Sequence, residues 1–328
     1  MERIKKLDVL KCVGLFCIFL AHVNPHSVIF QLRNFDVVLM IMCSACLFIN
    51  KYKDSYSFKE YISYFIKRVK RLLVPAWIFL SVFFAIFAKD YPLRTIISSY
   101  ALHSGIGYVW IIRIYLLTAL VLPIWYSVIK KNEKFSYIII SILYFLYEFA
   151  AYKNIFNFNI VFSDFLAWIV PLMLIITVTH WVMKSNNKSV ITFSIVNLIV
   201  FIGLAYLFYR LTGDIKTTNY MKYPFRLYYL SYGFAASGIW IVLCRQEKFV
   251  NMVYTKVLGF ISSATLWIYL WHILGIVVLN KCFNELFWIW KFLLVTVFAV
   301  AITYLQNKIV DCFKSKEKIY KYLMCFKG

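Results

Sequence analysis

Leu7-Asp8-Val9-Leu10-Lys11-Cys12-Val13-Gly14-Leu15-Phe16-Cys17-Ile18-Phe19-Leu20-Ala21-His22-Val23-Asn24-Pro25-His26-Ser27-Val28-Ile29-Phe30 opens the chain with an apolar run. A helix that crosses a bilayer needs about 20 mostly apolar residues, and this run supplies them. It carries Asp8 and Lys11 and has no small-x-small cleavage site, so it reads as a retained membrane helix and not as a removable signal peptide. The same length criterion, applied to the rest of the chain, gives further runs near 35–50, 72–88, 109–129, 135–152, 164–183, 189–209, 225–243, 257–280 and 286–309. The expected fold is therefore all-α: a polytopic transmembrane bundle of about ten helices.

Composition agrees. The chain of 328 residues is 63% hydrophobic and 15% charged, whereas a soluble domain is roughly half apolar and about a quarter charged. The net charge of +22 would point to nucleic acid in a soluble protein, but here the basic residues sit in short clusters between apolar runs, as topology signals do. With the N-terminus inside, the inner segments hold 24 of the 36 Lys and Arg residues and the outer segments hold 8. That bias predicts cytoplasmic N- and C-termini and leaves no case for a nucleic-acid partner. The longest loops, near 51–71, 89–108 and 210–224, are too short to fold alone. Residues 1–328 are thus expected to form a single transmembrane domain with no appended soluble domain. The eight cysteines have no framework spacing; Cys43 and Cys46 have the spacing of a redox pair but lie mid-run, where small packing residues are the simpler reading. No metal set is expected.

An ionisable residue within an apolar run costs a few kcal/mol and is a functional candidate by default. The first run carries Asp8, Lys11 and His22. Lys11 and His22 return to within roughly 20° of one helical face and stand about 16 Å apart along the axis. The plain alternative makes Asp8 and Lys11 interfacial anchors and His22 a helix end. Arg68 and Arg71, within Lys67-Arg68-Val69-Lys70-Arg71-Leu72-Leu73-Val74-Pro75, are spaced to project from one face, and paired guanidiniums suit bidentate phosphate recognition; any cytoplasmic loop also carries such clusters. Arg113 falls about one turn into the helix that follows Tyr108-Val109-Trp110 and needs a partner or a water-filled cavity. His272 ends Ser262-Ser263-Ala264-Thr265-Leu266-Trp267-Ile268-Tyr269-Leu270-Trp271-His272, deep in an apolar run. Arg226 and Glu148 read as interfacial or paired.

In this order, the segments resemble the acyltransferase-3 family of integral membrane acyltransferases, of the polysaccharide O-acetyltransferase type. Arg3…Asp8-Val9-Leu10-Lys11-Cys12…His22 is similar to that family's opening R…D-x-x-R/K-G…H helix. Ser44-Ala45-Cys46-Leu47-Phe48 is similar to its S-G-F/Y motif, and Arg71…Pro75 closes a stretch like its K-R-x-x-R-L-x-x-P signature. Trp110 resembles the tryptophan of its H-L-W-F/Y segment, and Trp267-Ile268-Tyr269-Leu270-Trp271-His272 its G-I-Y-x-x-H helix. The chain departs from the pattern at Cys12 and Ala45, which stand for glycines, and at Tyr108, which stands for a histidine.

The resemblance implies transfer of an acetyl or other short acyl group from acyl-CoA, usually acetyl-CoA, to a hydroxyl of a cell-surface glycan or its lipid-linked precursor, in a bacterial cytoplasmic membrane. It makes His22 the catalytic candidate, as general base or through a covalent acyl-imidazole. Lys11, Arg68 and Arg71 become donor-binding candidates. Arg113 and His272 are candidates for oxyanion or acceptor contacts, with Asp8 and Trp110 in support; Asp8 is expected to pair with Lys11 or the Arg68/Arg71 cluster. The rival class is a transporter or flippase of lipid-linked glycan, which would be expected to show internal repeats and Gly- or Pro-interrupted helices. A membrane scaffold gives no reason to keep His22, Lys11 and Arg113 within helices.

Overall fold

The computed structural model describes residues 4–52, 57–103, 105–153 and 161–327, with side chains described outside 161–166. Arg3, the first residue of the opening motif, lies outside the described residues. In chain order the helices are α1 Lys5–His22, α2 Ser27–Leu32, α3 Asp36–Lys51, α4 Phe58–Phe87, α5 Leu93–Tyr100, α6 Trp110–Lys131, α7 Glu133–Tyr152 and α8 Val161–Lys184. They continue as α9 Asn187–Thr212, α10 Leu227–Arg245, α11 Glu247–Val253, α12 Lys256–Ser263, α13 Thr265–Cys282, α14 Trp288–Cys312 and α15 Glu317–Leu323. Among the described residues there is no strand, and nine helical segments are long and apolar enough to cross a membrane. The all-α membrane fold expected from the run lengths is what the chain adopts.

Three runs differ from their expected form. The first breaks after His22, where Asn24 takes a positive φ of 51° and Pro25 follows, so α2 is a separate short helix. The run expected over 257–280 is two helices, α12 and α13, meeting at Ala264 (φ −107°, ψ 19°). The basic stretch within 51–71, expected in a loop, is helical from Phe58 onward and continuous with the span that follows. At 30 residues, α4 is about 45 Å long, against a hydrocarbon core of about 30 Å, so its excess length carries the cluster toward the membrane surface.

The chain forms two compact units. Residues 1–33, 62–116 and 253–328 make the first, and residues 34–61 and 117–252 the second. In the first, α1 packs on α12, α13 and α14, and α13 lies along α14. The C-terminal residues fold back on these helices: Trp267 Nε1 donates to the Cys325 carbonyl at 2.9 Å and Gln306 Nε2 to the Phe326 carbonyl at 2.5 Å.

The second unit pairs α9 with α10, α3 with α8 and α10, and α7 with α8. Close approach requires small residues here: an added Cβ at Gly233 of α10 would sit 2.6 Å from Val38 Cγ2 of α3. Asn132 and Asn186 cap α7 and α9 by accepting from the Phe135 and Ser189 amides, which satisfies donors that a helix start leaves open. Glu148 accepts from Arg226 Nε at 2.8 Å and from the Leu227 amide at 2.6 Å, capping α10, so those two residues are paired. Lys222, in the loop between α9 and α10, is buried. Its Nζ reaches Asn34 Oδ1 at 2.8 Å and Asp36 Oδ1 at 3.3 Å, and Asn34 Nδ2 donates to Thr218 Oγ1 at 2.6 Å. The cost of burying the ammonium is met by a carboxylate and a carboxamide in contact with it.

Candidate active site

The residues singled out on α1 all lie in the first unit, and the structure gives each one neighbours. At the N-terminal end of α1, Asp8 is 6% exposed. Its carboxylate accepts from Ser262 Oγ at 2.5 Å and from Tyr254 OH at 3.3 Å, with Lys11 Nζ at 4.0 Å. The expected pairing with Lys11 is present at that longer distance, and two hydroxyls from α12 and the residues before it lie closer. Lys5 adds a cation over the Tyr254 ring at 5.6 Å. The carboxylate thus pins the start of α1 to α12.

At the other end of the helix the two histidines meet. His22 Nδ1 and His272 Nε2 are 2.8 Å apart, and the rings stack with centroids 5.1 Å apart and 17° between planes. Phe19, one turn before His22, also stacks on the His272 ring at 4.3 Å. His272 is fully buried, and its Nδ1 faces the carbonyl oxygen of Tyr269, one turn back on α13. His22 is half-buried. Beyond it, Val23 packs with Ile276 of α13 and Val295 of α14, closing the apolar layer beside the pair.

The loop before α6 completes this end. Tyr108 sets its ring edge-on to His22 at 4.8 Å, and its carbonyl accepts from Tyr269 OH at 2.5 Å. Burial, with Tyr91 nearby, raises the Tyr108 phenol above its ordinary value and keeps it protonated at neutral pH. Trp110 opens α6 and is half-buried. Arg113, one turn further along, contacts His103 Nδ1 through Nη1 at 3.2 Å; this partner was not expected from the sequence.

The structure therefore brings together His22, His272, Phe19, Tyr108 and Tyr269 at one end of α1, and Asp8, Lys11, Ser262 and Tyr254 at the other. Arg68 and Arg71 lie in the N-terminal part of α4. Arg68 stands over the Tyr64 ring at 5.7 Å, and Arg71 is exposed. Tyr254 and Ser262 went unassigned because hydroxyls within or beside apolar runs are common. Only the burial of Asp8 singles these two out.

A family model described as an acyltransferase domain matches residues 4–306. No curated protein and no solved structure matches the chain. The matched span contains α1 with Asp8, Lys11 and His22, the basic start of α4, Trp110 and Arg113 at the head of α6, and His272 on α13. With nearly its whole length covered, the chain belongs to the acyltransferase-3 family of membrane acyltransferases.

Proposed function

We propose that this membrane acyltransferase is an O-acyltransferase that moves an acetyl or other short acyl group from acyl-CoA to a sugar hydroxyl of a cell-surface glycan or its lipid-linked precursor. The observation that carries this reading is the half-buried His22 imidazole, held against His272 at 2.8 Å. It lies about 16 Å by helix rise from Lys11 on the same helix. One end of α1 then suits proton transfer and the other suits an anionic donor.

Further points support these roles. The α4 segment that overshoots the bilayer core carries Arg68 and Arg71 one turn apart, where they would meet the phosphates of a soluble donor as charge-assisted, bidentate partners. Lys11 extends that positive surface toward the bundle interior. A neutral imidazole takes up a proton near physiological pH, the requirement for a general base. In the proposed reaction His22 removes the proton of the sugar hydroxyl as its oxygen attacks the thioester carbonyl. The tetrahedral oxyanion collapses and expels the coenzyme A thiolate, which regains a proton from the His22 imidazolium. Arg113 is the candidate to stabilise the oxyanion, and the aromatic rings of Tyr108 and Trp110 offer faces for a sugar. The expected orientation, both termini cytoplasmic in a bacterial plasma membrane, places Lys11, Arg68 and Arg71 on the side where acyl-CoA is made.

The test is incorporation of radiolabelled acetyl from acetyl-CoA into membrane glycan, in cells that make wild type or His22→Ala at matched levels. Label that appears with wild type and is lost with the variant supports the reading. Label absent from wild type, with native acceptor present, overturns it in favour of glycan transport.

A further inference from the structure

His272 is buried completely, and its ring nitrogens face different kinds of partner. Nδ1 faces the Tyr269 carbonyl, which has only lone pairs to offer, so Nδ1 carries a proton and donates. Nε2 faces His22 Nδ1 at 2.8 Å. The rings of Phe19, Tyr269 and His22 also contact His272, and among the described residues no carboxylate is one of its partners. A doubly protonated His272 would be a buried cation without a counter-ion, which is costly. His272 is therefore neutral, its Nε2 is an acceptor, and the proton between the two rings resides on His22 Nδ1.

From this ordered chain of donors we infer that His272 is the positioning residue of the active site. It fixes His22 in the Nδ1–H tautomer, so that His22 Nε2 is the basic nitrogen that takes the acceptor's proton. The inference rests on His22 being the base, as proposed above. When His22 Nε2 is protonated during attack, the Nδ1–H···Nε2 bond to His272 becomes charge-assisted and strengthens. An interaction that is stronger in the transition state than in the ground state raises kcat without tightening substrate binding. Three contacts keep the His272 ring in this orientation. They are the Tyr269 carbonyl one turn back on its own helix, the Phe19 ring stacked on it, and the Tyr269 ring at 4.7 Å, whose hydroxyl is in turn bonded to the Tyr108 carbonyl. A histidine orients a catalytic histidine here, in the place where a carboxylate often does so.

Three variants and one spectrum test this. His272→Leu removes the acceptor. The expected result is a kcat lower by roughly two orders of magnitude, within the range general-base catalysis contributes, with KM for acyl-CoA and acceptor little changed. His272→Gln puts a carboxamide oxygen near the position of Nε2 and is expected to restore most of that loss. His22→Ala is expected to abolish turnover. If His22→Ala is inactive while His272→Leu keeps wild-type kcat, or if Leu and Gln are equally impaired, the positioning role is refuted and the base reading stands. If His22→Ala retains activity, the base reading falls and the positioning role with it. Because Leu at a buried site can destabilise the fold, the unsubstituted protein is also measured in bilayers by nitrogen-15 NMR with labelled histidine, assigned with the His22→Ala sample. The expected spectrum shows His22 and His272 both as Nδ1–H tautomers at mildly alkaline pH; a His22 signal in the Nε2–H form overturns the inference.

Discussion

Asp8 offers a direct test of how α1 is anchored. Its carboxylate is 6% exposed and accepts from Ser262 Oγ at 2.5 Å and Tyr254 OH at 3.3 Å. Hydrogen bonds to a charged group contribute about 1.5–3 kcal/mol and neutral ones about 0.5–1.5 kcal/mol. Asp8→Asn keeps the shape and an acceptor oxygen but loses the charge, so it is expected to cost about 1–2 kcal/mol. Asp8→Ala leaves buried Ser262 with no acceptor at that place and adds roughly 1–3 kcal/mol of desolvation, for a total of about 3 kcal/mol. At roughly 2 °C per kcal/mol for a chain of this size, the melting midpoint in detergent falls by about 6 °C for Ala and by about 3 °C for Asn. Asp8 lies about 21 Å by helix rise from His22, beyond the range over which sites couple directly. Asp8→Asn protein that remains folded is therefore expected to keep kcat within about a factor of two. The assay pairs thermal unfolding with turnover of the purified protein. A wild-type midpoint for Asp8→Ala, or a collapse of kcat in well-folded Asp8→Asn, refutes the anchoring account.

Lys222→Met leaves Asp36 buried without its cation and is expected to cost about 3–5 kcal/mol, with Lys222→Met/Asp36→Asn recovering part of it; equal midpoints for the single variant and wild type refute the pairing. Lys11→Ala, and separately Arg68→Ala with Arg71→Ala, are expected to raise KM for acyl-CoA by roughly 10-fold or more, the equivalent of one lost charge-assisted contact. The effect should shrink at high salt, and an unchanged donor KM removes these residues from the donor site. Reporters fused to the two ends of the chain should be found on the same side of the membrane, read by protease protection of sealed vesicles; opposite sides refute the proposed topology.

Much of the fold was legible because the bilayer imposes length and satisfaction of the backbone on every crossing. The α6, α7, α9, α10 and α14 runs could be placed to within a few residues for that reason. Breaks were harder. Ala264 has nothing in its chemistry to end a helix, so the boundary between α12 and α13 leaves no mark in the sequence. His22, Lys11, Arg113 and His272 stood out because each costs free energy in an apolar run. The partners that meet those costs lie far along the chain: 250 residues separate His22 from His272 and 254 separate Asp8 from Ser262. No local pattern links them. The burial of Lys222 was not legible because a lysine beside a turn reads as surface, and only its approach to Asp36 and Asn34 shows otherwise.

The first helix connects the hydropathy pattern with the site. With Lys5, Lys6, Asp8 and Lys11 in its 18 residues, α1 is not among the nine segments apolar enough to be identified as spans. Its contacts nonetheless fix its direction. As α1 runs from Asp8 to His22 to Val23, its partners on α12 and α13 run from Ser262 to His272 to Ile276, so α1 and α13 are parallel. Of the charges that remove α1 from a hydropathy count, the Asp8 carboxylate is met within the first unit by the hydroxyls of Ser262 on α12 and of Tyr254 before it. The same helix therefore holds cations at one end and an imidazole about 16 Å away toward the other, the arrangement that the proposed transfer from a soluble acyl donor to a hydroxyl acceptor would require.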